Sequence, residues 1–433
     1  MAPAQLLRAM FDAAVQAALP SHRVPPFLPQ PPAGRTVVVG MGKAAAAMAQ
    51  AVEQHWSGPL SGLVVTRYGH RVPTQHIDVV EAGHPVPDEN GMRAAEQILE
   101  RVSGLGEHDL VICLVSGGGS ALFTLPPEGI ALATLSEINQ QLLKSGVAID
   151  QMNAVRKSLS RSSGGRLAAA AYHARVVSLV ISDVPGDGLA AIASGPTVGD
   201  TVTPQQALGI LRSHHIAIPA AIETHLAAGQ NPVIQLHDPR LQTTENHLIA
   251  TPQQSLEAAA QIARDNGYTP LILGDALEGE AREVGKVMAG MAQQVRRHRQ
   301  PIAPPCVLLS GGETTVTIPK DPIPKHPIPK PHDSTGKGGR NGEFLLSLMQ
   351  ALHGEPGLHA LAADTDGIDG VEDNAGALFS PEHFVQAQDQ ALSLADYLAR
   401  HDSYSLFSAL DALVMTGPTL TNVNDFRAVL IEA

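Results

Sequence analysis

Short apolar runs alternate with longer segments rich in alanine, leucine and glutamine along most of this chain. The short runs are candidates for buried strands and lie at 36–39, 63–66, 110–115, 176–181, 270–273, 307–309 and 359–362. The longer segments have helical length and lie at 43–55, 92–102, 130–145, 253–266 and 280–298. Strands that alternate with helices favour parallel sheets covered by helices on both faces. We therefore predict an α/β protein with two doubly wound domains and mainly parallel sheets.

The boundary between the two domains is predicted near residue 235, where a stretch with two prolines shows little periodicity. Residues 1–235 are expected to form an N-terminal α/β, Rossmann-like domain, and residues 236–433 a C-terminal α/β domain. Residues 319–337 repeat a Pro-Ile-Pro-Lys unit. Because proline removes N–H donors and favours a solvated polyproline II conformation, we expect this segment to be a surface insert.

Composition excludes several classes of partner. The 42 acidic and 29 basic residues give a formal net charge of −13, which argues against binding to nucleic acid. No apolar run reaches the roughly 18 residues of a membrane span, so we expect no membrane partner. Cys113 and Cys306 lie in apolar strand-like runs and offer no disulfide framework, which favours a cytoplasmic protein. The oligomeric state stays open, with a homodimer as one assembly.

Four glycine-rich turns follow apolar runs or open helices. Glycine lets the backbone approach a ligand closely, and free N–H groups at such turns favour anions. We therefore expect these turns to bind a nucleotide or a substrate. The residues concerned are Gly40 and Gly42 in the first turn, Ser116, Gly117, Gly118, Gly119 and Ser120 in the second, Gly311 and Gly312 in the third, and Asn341 in the fourth.

Three cations accompany these turns and helix starts. Lys43 lies in the first turn, where its charge suits a phosphate or a carboxylate. Arg340 lies near a helix N-terminus, which is an unfavourable place for a cation unless an anion offsets it. Arg156 lies early in another helix, where anion binding, an inter-domain contact and a solvated helix face all remain open.

Two short loops concentrate carboxylates. Asp183 and Asp187 follow the strand at 176–181, and Asp366 lies in a second loop at 364–370. Carboxylates spaced by two residues with intervening glycines suit a Mg²⁺ ion that is held partly through waters and substrate phosphates. Aspartates beside glycines also form Asx turns, so each of them has a purely structural alternative.

Eight ordered motifs resemble the glycerate 2-kinase family, whose members carry a MOFRL domain at the C-terminus and are often labelled hydroxypyruvate reductases in bacteria. The motifs lie at 39–44, 115–122, 153–160, 182–187, 193–197, 311–316, 338–341 and 365–370. The resemblance extends over roughly residues 5 to 430. One departure is the proline-lysine insert, which separates the sixth motif from the seventh, and Lys337 stands where the family usually has an arginine.

The resemblance implies ATP-dependent phosphorylation of D-glycerate to 2-phosphoglycerate with Mg²⁺, in an active-site cleft between two α/β domains. It assigns importance to Lys43, to Asp183 or Asp187, and to Glu313, Arg340 and Asp366. We expect Asp183 among the catalytic residues, and Asp187 and Asp366 as metal ligands. Which aspartate is the base and which binds the metal stays open. The alternatives are an NAD(P)H-dependent hydroxypyruvate reductase, which rests on the Gly40-x-Gly42 turn and on the labels of relatives, and a non-catalytic nucleotide sensor.

Overall fold

A computed structural model describes residues 1–147, 149–318 and 336–433, which form two compact units. The N-terminal unit comprises Ala18–Thr251 and Leu420–Asn422, and the C-terminal unit comprises Met1–Ala17, Pro252–Thr419 and Val423–Ala433. The expected boundary at residue 235 therefore lies inside the N-terminal unit, ahead of its last strand. Most of the predicted insert, residues 319–335, lies outside the described residues.

The N-terminal unit is built on a six-stranded sheet whose neighbouring strands all run parallel. Its strands are β1 (Thr36–Met41), β2 (Ser61–Arg67), β3 (Ile77–Ala82), β4 (Leu110–Val115), β5 (Arg175–Ile181) and β6 (Thr244–Ala250). Their order is β3-β2-β1-β4-β5-β6, which is the order of a doubly wound dinucleotide-binding fold. β1 and β4 are buried along their whole length, as expected for central strands with helices on both faces.

The helices of this unit occupy the connections between strands. They are α2 (Pro20–Arg23), α3 (Ala45–His55), α4 (Glu89–Val102), α5 (Gly119–Leu122), α6 (Leu132–Ser145), α7 (Ile149–Ser158), α8 (Arg166–Ala170), α9 (Pro204–Ser213) and α10 (Ala220–Ala227). Short 3₁₀ turns lie at Pro25–Phe27, Ile192–Ser194 and Pro239–Leu241. The long connection between β4 and β5 thus contains four helices, α5 to α8, and it supplies most of the polar groups considered below.

The C-terminal unit contains a second six-stranded sheet, and this sheet is mixed. Its strands are β7 (Thr269–Gly274), β9 (Cys306–Ser310), β11 (Leu358–Asp364), β12 (Gly376–Phe379), β13 (Leu413–Val414) and β14 (Asp425–Ile431), in the order β13-β12-β11-β14-β9-β7. A separate two-stranded pair joins β8 (Gly279–Glu280) to β10 (Thr314–Thr315). Within the six-stranded sheet, β7 and β9 pair in parallel and the other neighbours pair antiparallel.

The α/β class is confirmed, and of the strand pairings in the described residues seven are parallel and four antiparallel. The expectation of a mainly parallel sheet is nevertheless wrong for the C-terminal sheet, which contains all four antiparallel pairings. The reason lies in its connections, since a parallel neighbour needs a crossover that is usually helical. The loop that joins β11 to β12 contains no helix, so the chain returns in the opposite direction.

The helices of the C-terminal unit are α1 (Pro3–Gln16), α11 (Pro252–Asp265), α12 (Ala281–His298), α13 (Arg340–Leu352), α14 (Pro381–Asp389), α15 (Leu394–Ala399) and α16 (Ser403–Ala409). α12 and α13 share a buried apolar core with β11, β12 and β14, and Phe344 and Phe379 lie fully inside it. In the described parts of both units, no helix combines the length and the apolarity that crossing a membrane requires.

All seven predicted strands and all five predicted helices are present, with ends that differ by a few residues. The sequence pattern does not predict β3, β6, β8, β10, β12, β13 and β14. These strands either carry charged or amide residues among their apolar ones, as in β6, or span only two to four residues, as in β13.

Candidate active site

The most constrained loops of the N-terminal unit lie at the carboxyl ends of its central strands. β1 and β4 are neighbours, and the chain leaves them towards opposite edges of the sheet. This arrangement is the topological switch point at which ligands bind in open α/β sheets. The turn from β1 into α3 and the loop at 116–120, which follows β4, lie on the two sides of this point.

The turn after β1 packs directly against the 116–120 loop. The N–H of Lys43 donates to the carbonyl of Gly117 (2.8 Å), and the N–H of Ala44 donates to the Ser116 hydroxyl (3.0 Å). Gly42 has a φ of +124°, and a Cβ atom there would overlap the Ser116 side chain. Only glycine therefore fits this position. These two N–H groups are used inside the protein, so the expectation that this turn offers them to an anion is wrong.

The 116–120 loop itself keeps its donors available. Among the residues that the structure describes, none accepts a hydrogen bond from the N–H of Gly117, Gly118 or Gly119. Gly118 has a left-handed φ of +81°, so the backbone turns at the centre of the loop. Successive N–H groups in such a turn form a cradle for an anion.

Two charged side chains lie against neighbouring glycines of this loop. A Cβ atom on Gly117 would overlap the Asp183 carboxylate, and one on Gly118 would lie 3.2 Å from Cγ of Lys43. Asn422 donates to Oδ2 of Asp183 (2.9 Å) and holds that carboxylate in place. The structure therefore brings together Lys43, Asp183 and the glycine loop, as the sequence reading expects of one site.

The sequence reading missed two neighbours of this loop. His84 is half-buried, and its ring would lie 3.0 Å from a Cβ atom on Gly118. Asn422 belongs to a segment near the end of the chain that returns to the N-terminal unit. No local pattern predicts such a return, although the two asparagines at 422 and 424 were a usable signal.

The remaining predicted residues of this unit occupy nearby loops. Gly40 lies inside β1, where a Cβ atom would be 2.7 Å from the carbonyl of Leu114. Asp187 lies in the loop of Asp183, at a left-handed turn position (φ 55°) that aspartate tolerates. Ser120 and Arg156 both line one narrow pocket.

In the C-terminal unit, Arg340 is surrounded by carboxylates. Its Nε donates to Asp425 (2.8 Å), one terminal nitrogen to Glu313 (2.6 Å), and the other to Asp364 (2.9 Å). Burial alone would lower the pKa of Arg340, but Asp425, Glu313 and Asp364 outweigh it and raise that pKa well above its ordinary value. The protein's own carboxylates therefore offset the charge for which the sequence reading invoked an anionic ligand.

The same network fixes the glycine turn after β9. Arg427 donates to Asp425 (2.5 Å) and to the carbonyl of Gly311 (3.1 Å), and the N–H of Asp425 donates to the carbonyl of Gly312 (3.3 Å). Burial lowers the pKa of Arg427, and Asp425 opposes that effect. Asp425 and Arg427 lie on β14, a strand that the sequence reading missed, so neither was predicted.

Asn341 and Asp369 hold the start of α13. The two carboxylate oxygens of Asp369 accept the N–H groups of Asn341 (3.0 Å) and Gly342 (2.8 Å), and the Asn341 amide donates to Asp425 (2.8 Å). Burial raises the pKa of Asp369 to about 6, while the two N–H donors favour its charged form. Asn341 is fully buried, so it supports the helix start and Asp425.

Asp366 is buried in two successive Asx turns. Its N–H donates to Asp364 (3.0 Å), and its own carboxylate accepts the N–H of Ile368 (2.9 Å). Over the described parts of the chain, no group of three or more His, Cys, Asp or Glu residues is arranged to hold a metal ion. The metal roles of Asp187 and Asp366, and the cleft between the domains, stay predictions.

Comparison with known proteins matches two family models to the chain. Residues 6–227 match a domain of unknown function, DUF4147, and residues 306–425 match the MOFRL family. A protein of Agrobacterium vitis with the provisional name hydroxypyruvate reductase is 50% identical, over 99% of this chain and 94% of its own length. The D-glycerate 2-kinase of Thermotoga maritima is 37% identical, over 96% of this chain and 95% of its own length.

The fold is also similar to a solved structure. The crystal structure of glycerate kinase from Thermotoga maritima has a TM-score of 0.85 and 36% sequence identity, and the match covers 99% of each chain. Sequence and fold thus agree over nearly the whole length with proteins that are named as glycerate kinases. The chain belongs to the glycerate kinase family, with an N-terminal DUF4147 region and a C-terminal MOFRL domain.

Proposed function

We propose that this protein transfers the γ-phosphoryl group of ATP to the 2-hydroxyl of D-glycerate, giving 2-phosphoglycerate and ADP. The observation that carries the proposal is the 116–120 loop at the switch point, with three available N–H groups, Lys43 on one side and Asp183 on the other. The names of the relatives in Thermotoga maritima and Pyrococcus horikoshii support the substrate and the reaction.

Phosphoryl transfer depends mainly on positioning and charge stabilisation. The N–H groups of Gly117, Gly118 and Gly119 are fixed donors that can face phosphoryl oxygens without rearrangement. Lys43 adds a positive charge beside Gly118. Preorganised donors of this kind stabilise the charge that is distributed over the phosphoryl oxygens in the transition state.

Asp183 is the candidate acceptor for the substrate's hydroxyl proton. The substrate oxygen forms a bond to the γ-phosphorus, the bond from that phosphorus to the β–γ bridging oxygen breaks, and the proton passes to the Asp183 carboxylate. Asn422 orients this carboxylate through Oδ2. Asp183 follows β5 at the same edge of the sheet as the glycine loop, so both act on one substrate.

The donor chemistry of the described residues fits a Mg²⁺ ion that is held by one or two carboxylates and by the phosphates of ATP. This is the usual mode for Mg²⁺, and it needs no cage of three protein ligands. Asp187 and Asp366 are the carboxylates that we propose for it, each within its own unit. When bound, Mg²⁺ neutralises part of the phosphate charge.

Arg340 takes a positioning role in this proposal. All three nitrogen atoms of its guanidinium already donate to carboxylates of the protein. Its effect on the reaction therefore passes through Asp364, Asp425 and Glu313, whose places it fixes.

We propose a reducing cytoplasmic location, which suits the two thiols of the chain. Cys113 and Cys306 are free and buried, and burial raises their pKa values to about 12 and about 11. Thiols that stay protonated and inaccessible are inert. A homodimer stays a prediction.

An NAD(P)H-dependent reductase is the second candidate, because the 50% identical relative carries that name. The geometry of the β1 turn argues against it. A dinucleotide-binding turn offers its backbone N–H groups to the pyrophosphate, whereas here the turn residues Lys43 and Ala44, which precede α3, donate theirs to the 116–120 loop. β2 also ends at Arg67 without the carboxylate that binds the ribose of NAD.

The direct test compares the two reactions with one preparation of protein. D-glycerate with Mg-ATP should give ADP and a phosphoglycerate whose position of phosphorylation is read by phosphorus NMR. Hydroxypyruvate with NADH or NADPH should give no loss of reduced nicotinamide absorbance. Nicotinamide oxidation without ADP formation would replace the kinase proposal with the reductase.

Lys43→Ala is expected to lower kcat by about 10²-fold or more, because it removes a charge that acts mainly in the transition state. The melting temperature should stay close to that of the wild type. Lys286→Ala is the matched control, since Lys286 is an exposed cation paired with Glu283. A kcat for Lys43→Ala equal to that of this control would remove Lys43 from the chemistry.

Arg340→Met is expected to lower the free energy of unfolding by about 3–5 kcal/mol, because it leaves buried carboxylates without their cation. Arg297→Met breaks a largely exposed ion pair with Glu355 in the same unit and should cost less than about 1 kcal/mol. Urea denaturation of the two variants measures the difference. Equal small losses would show that the Arg340 network adds no net stability.

A further inference from the structure

A narrow pocket opens beside the 116–120 loop in the N-terminal unit. Its lining residues include four serines, Ser120, Ser160, Ser163 and Ser194, together with Arg156 and Asn139, and the apolar residues Phe123, Leu135 and Ala193 also line it. Ser120 follows Gly119 directly, so the pocket adjoins the residue that carries the last available N–H of the glycine loop.

Arg156 is half-buried beside this pocket and lacks the carboxylate partner that such a cation normally has. Its Nε donates to the side-chain oxygen of Asn139 (3.3 Å), and among the described residues no carboxylate forms an ion pair with it. Burial lowers the pKa of Arg156. A buried charge without a counter-charge is costly, so an anion in the pocket would stabilise it.

The neighbouring cation is compensated within the protein. Lys157, the next residue along α7, forms an ion pair with Asp200 (2.5 Å). Arg166 donates to Asn231 and to the backbone carbonyls of Lys157 and Ser163. Of these three basic residues, Arg156 is the one that lines the pocket.

Ser163 supplies an independent sign of a ligand. Its side chain is 4% exposed, and its Oγ has no hydrogen-bond partner among the described residues. The other serines of the pocket are engaged, since Ser120 bonds to Ser194 (2.9 Å) and Ser160 accepts the N–H groups of Ser162 and Ser163 (3.1 and 3.2 Å). Buried hydroxyls are normally paired, so Ser163 is a donor in need of an acceptor.

The size of the pocket limits what can enter. Its cavity volume is about 20 Å³, little more than the space that one water molecule needs. An oxygen of a carboxylate can enter such a space, whereas a base, a ribose or a chain of phosphates does not fit.

We propose that this pocket binds the carboxylate of the hydroxy-acid substrate, with Arg156 as its charge partner and Ser163 as an additional donor. The inference rests on the proposed kinase function and assigns the end of the substrate that does not react. In a 2-hydroxy acid the carboxylate carbon is bonded to the carbon that bears the reacting hydroxyl. A carboxylate pocket next to the phosphoryl-binding loop therefore suits a 2-hydroxy acid and disfavours a neutral polyol.

The test compares Arg156→Met, Arg156→Lys and Ser163→Ala with the control Arg212→Met, which breaks an exposed ion pair with Glu223. Arg156→Met should raise the KM for D-glycerate about 10- to 100-fold, because it removes a charged hydrogen-bond donor to the substrate. Arg156→Lys should lie between Arg156→Met and the wild type. The KM for ATP should change by less than about twofold, since in this proposal ATP makes no contact with Arg156.

Ser163→Ala keeps the proposal testable if Arg156 variants fold poorly. Its hydroxyl has no partner in the described residues, so the melting temperature should not fall, while the KM for D-glycerate should rise about threefold to tenfold. A raised KM for ATP with an unchanged KM for D-glycerate would overturn the proposal and assign the pocket to a phosphate. Unchanged values for both substrates in both variants would also overturn it.

Titration calorimetry with D-glycerate separates this inference from the proposed function. If the wild type transfers no phosphoryl group, the kinase proposal fails. The binding of D-glycerate then still tests whether the pocket takes a carboxylate. Binding to the wild type that is lost in Arg156→Met supports a carboxylate pocket. Binding that survives in Arg156→Met, or no binding to the wild type, overturns it.

Discussion

The candidate site depends on the contact between the Gly117 backbone and the Asp183 carboxylate. A side chain on residue 117 would overlap that carboxylate, so the loop approaches it only because the residue has no Cβ atom. The same loop positions Lys43 through Gly118 and opens the Arg156 pocket through Ser120. One loop at the β1–β4 switch point thus brings an acid, a cation and an anion pocket to adjacent residues. In the proposed reaction each of these groups contacts a different part of the substrates, because the loop spaces them.

The C-terminal unit uses charge differently. Arg340 and Arg427 are each compensated by carboxylates of the protein, and Asp425 is shared between the two. Such a network mainly fixes loop positions, since removal of one partner leaves buried charges without compensation. In the N-terminal unit, by contrast, Arg156 has an amide partner but no carboxylate partner, and the glycine-loop N–H groups have no acceptor, among the described residues. Donors without an acceptor or a counter-charge in the protein indicate where ligands bind. Donors that are paired within the protein indicate contacts that stabilise the fold.

The sequence predicts those strands and helices whose formation depends on neighbouring residues in the chain. β1 and β4 are continuous apolar runs, and both were found because a central parallel strand is buried on each face. β14 was missed since its first three residues, Asp425, Phe426 and Arg427, do not form such a run. It pairs antiparallel with β11 and β9, which lie far from it in the sequence, so no local pattern indicates these pairings.

Candidate residues divide in the same way. Lys43 and the glycines at 117–119 were predictable, because glycine turns after strands have few alternatives. Asn422 and Ser163 were not predictable, because their roles depend on contacts between distant segments. Asn422 bonds to Asp183, and the hydroxyl of Ser163 is buried without a partner among the described residues. For Arg340 the sequence predicts an anionic ligand, whereas the structure surrounds it with three carboxylates of the protein. These carboxylates lie 24 or more residues away in the sequence, so no local pattern indicates them.

The measurement that tests this account most directly is the steady-state kinetics of Gly117→Ala with D-glycerate and Mg-ATP. The added methyl group would displace Asp183 or the loop, and we expect kcat/KM to fall by about 10²-fold, as small misplacements of reacting groups do. Gly106→Ala is the control, because no atom lies within 4 Å of a Cβ there. A Gly117→Ala enzyme with the kcat/KM of this control would contradict the claim that the close approach of loop and carboxylate builds the site.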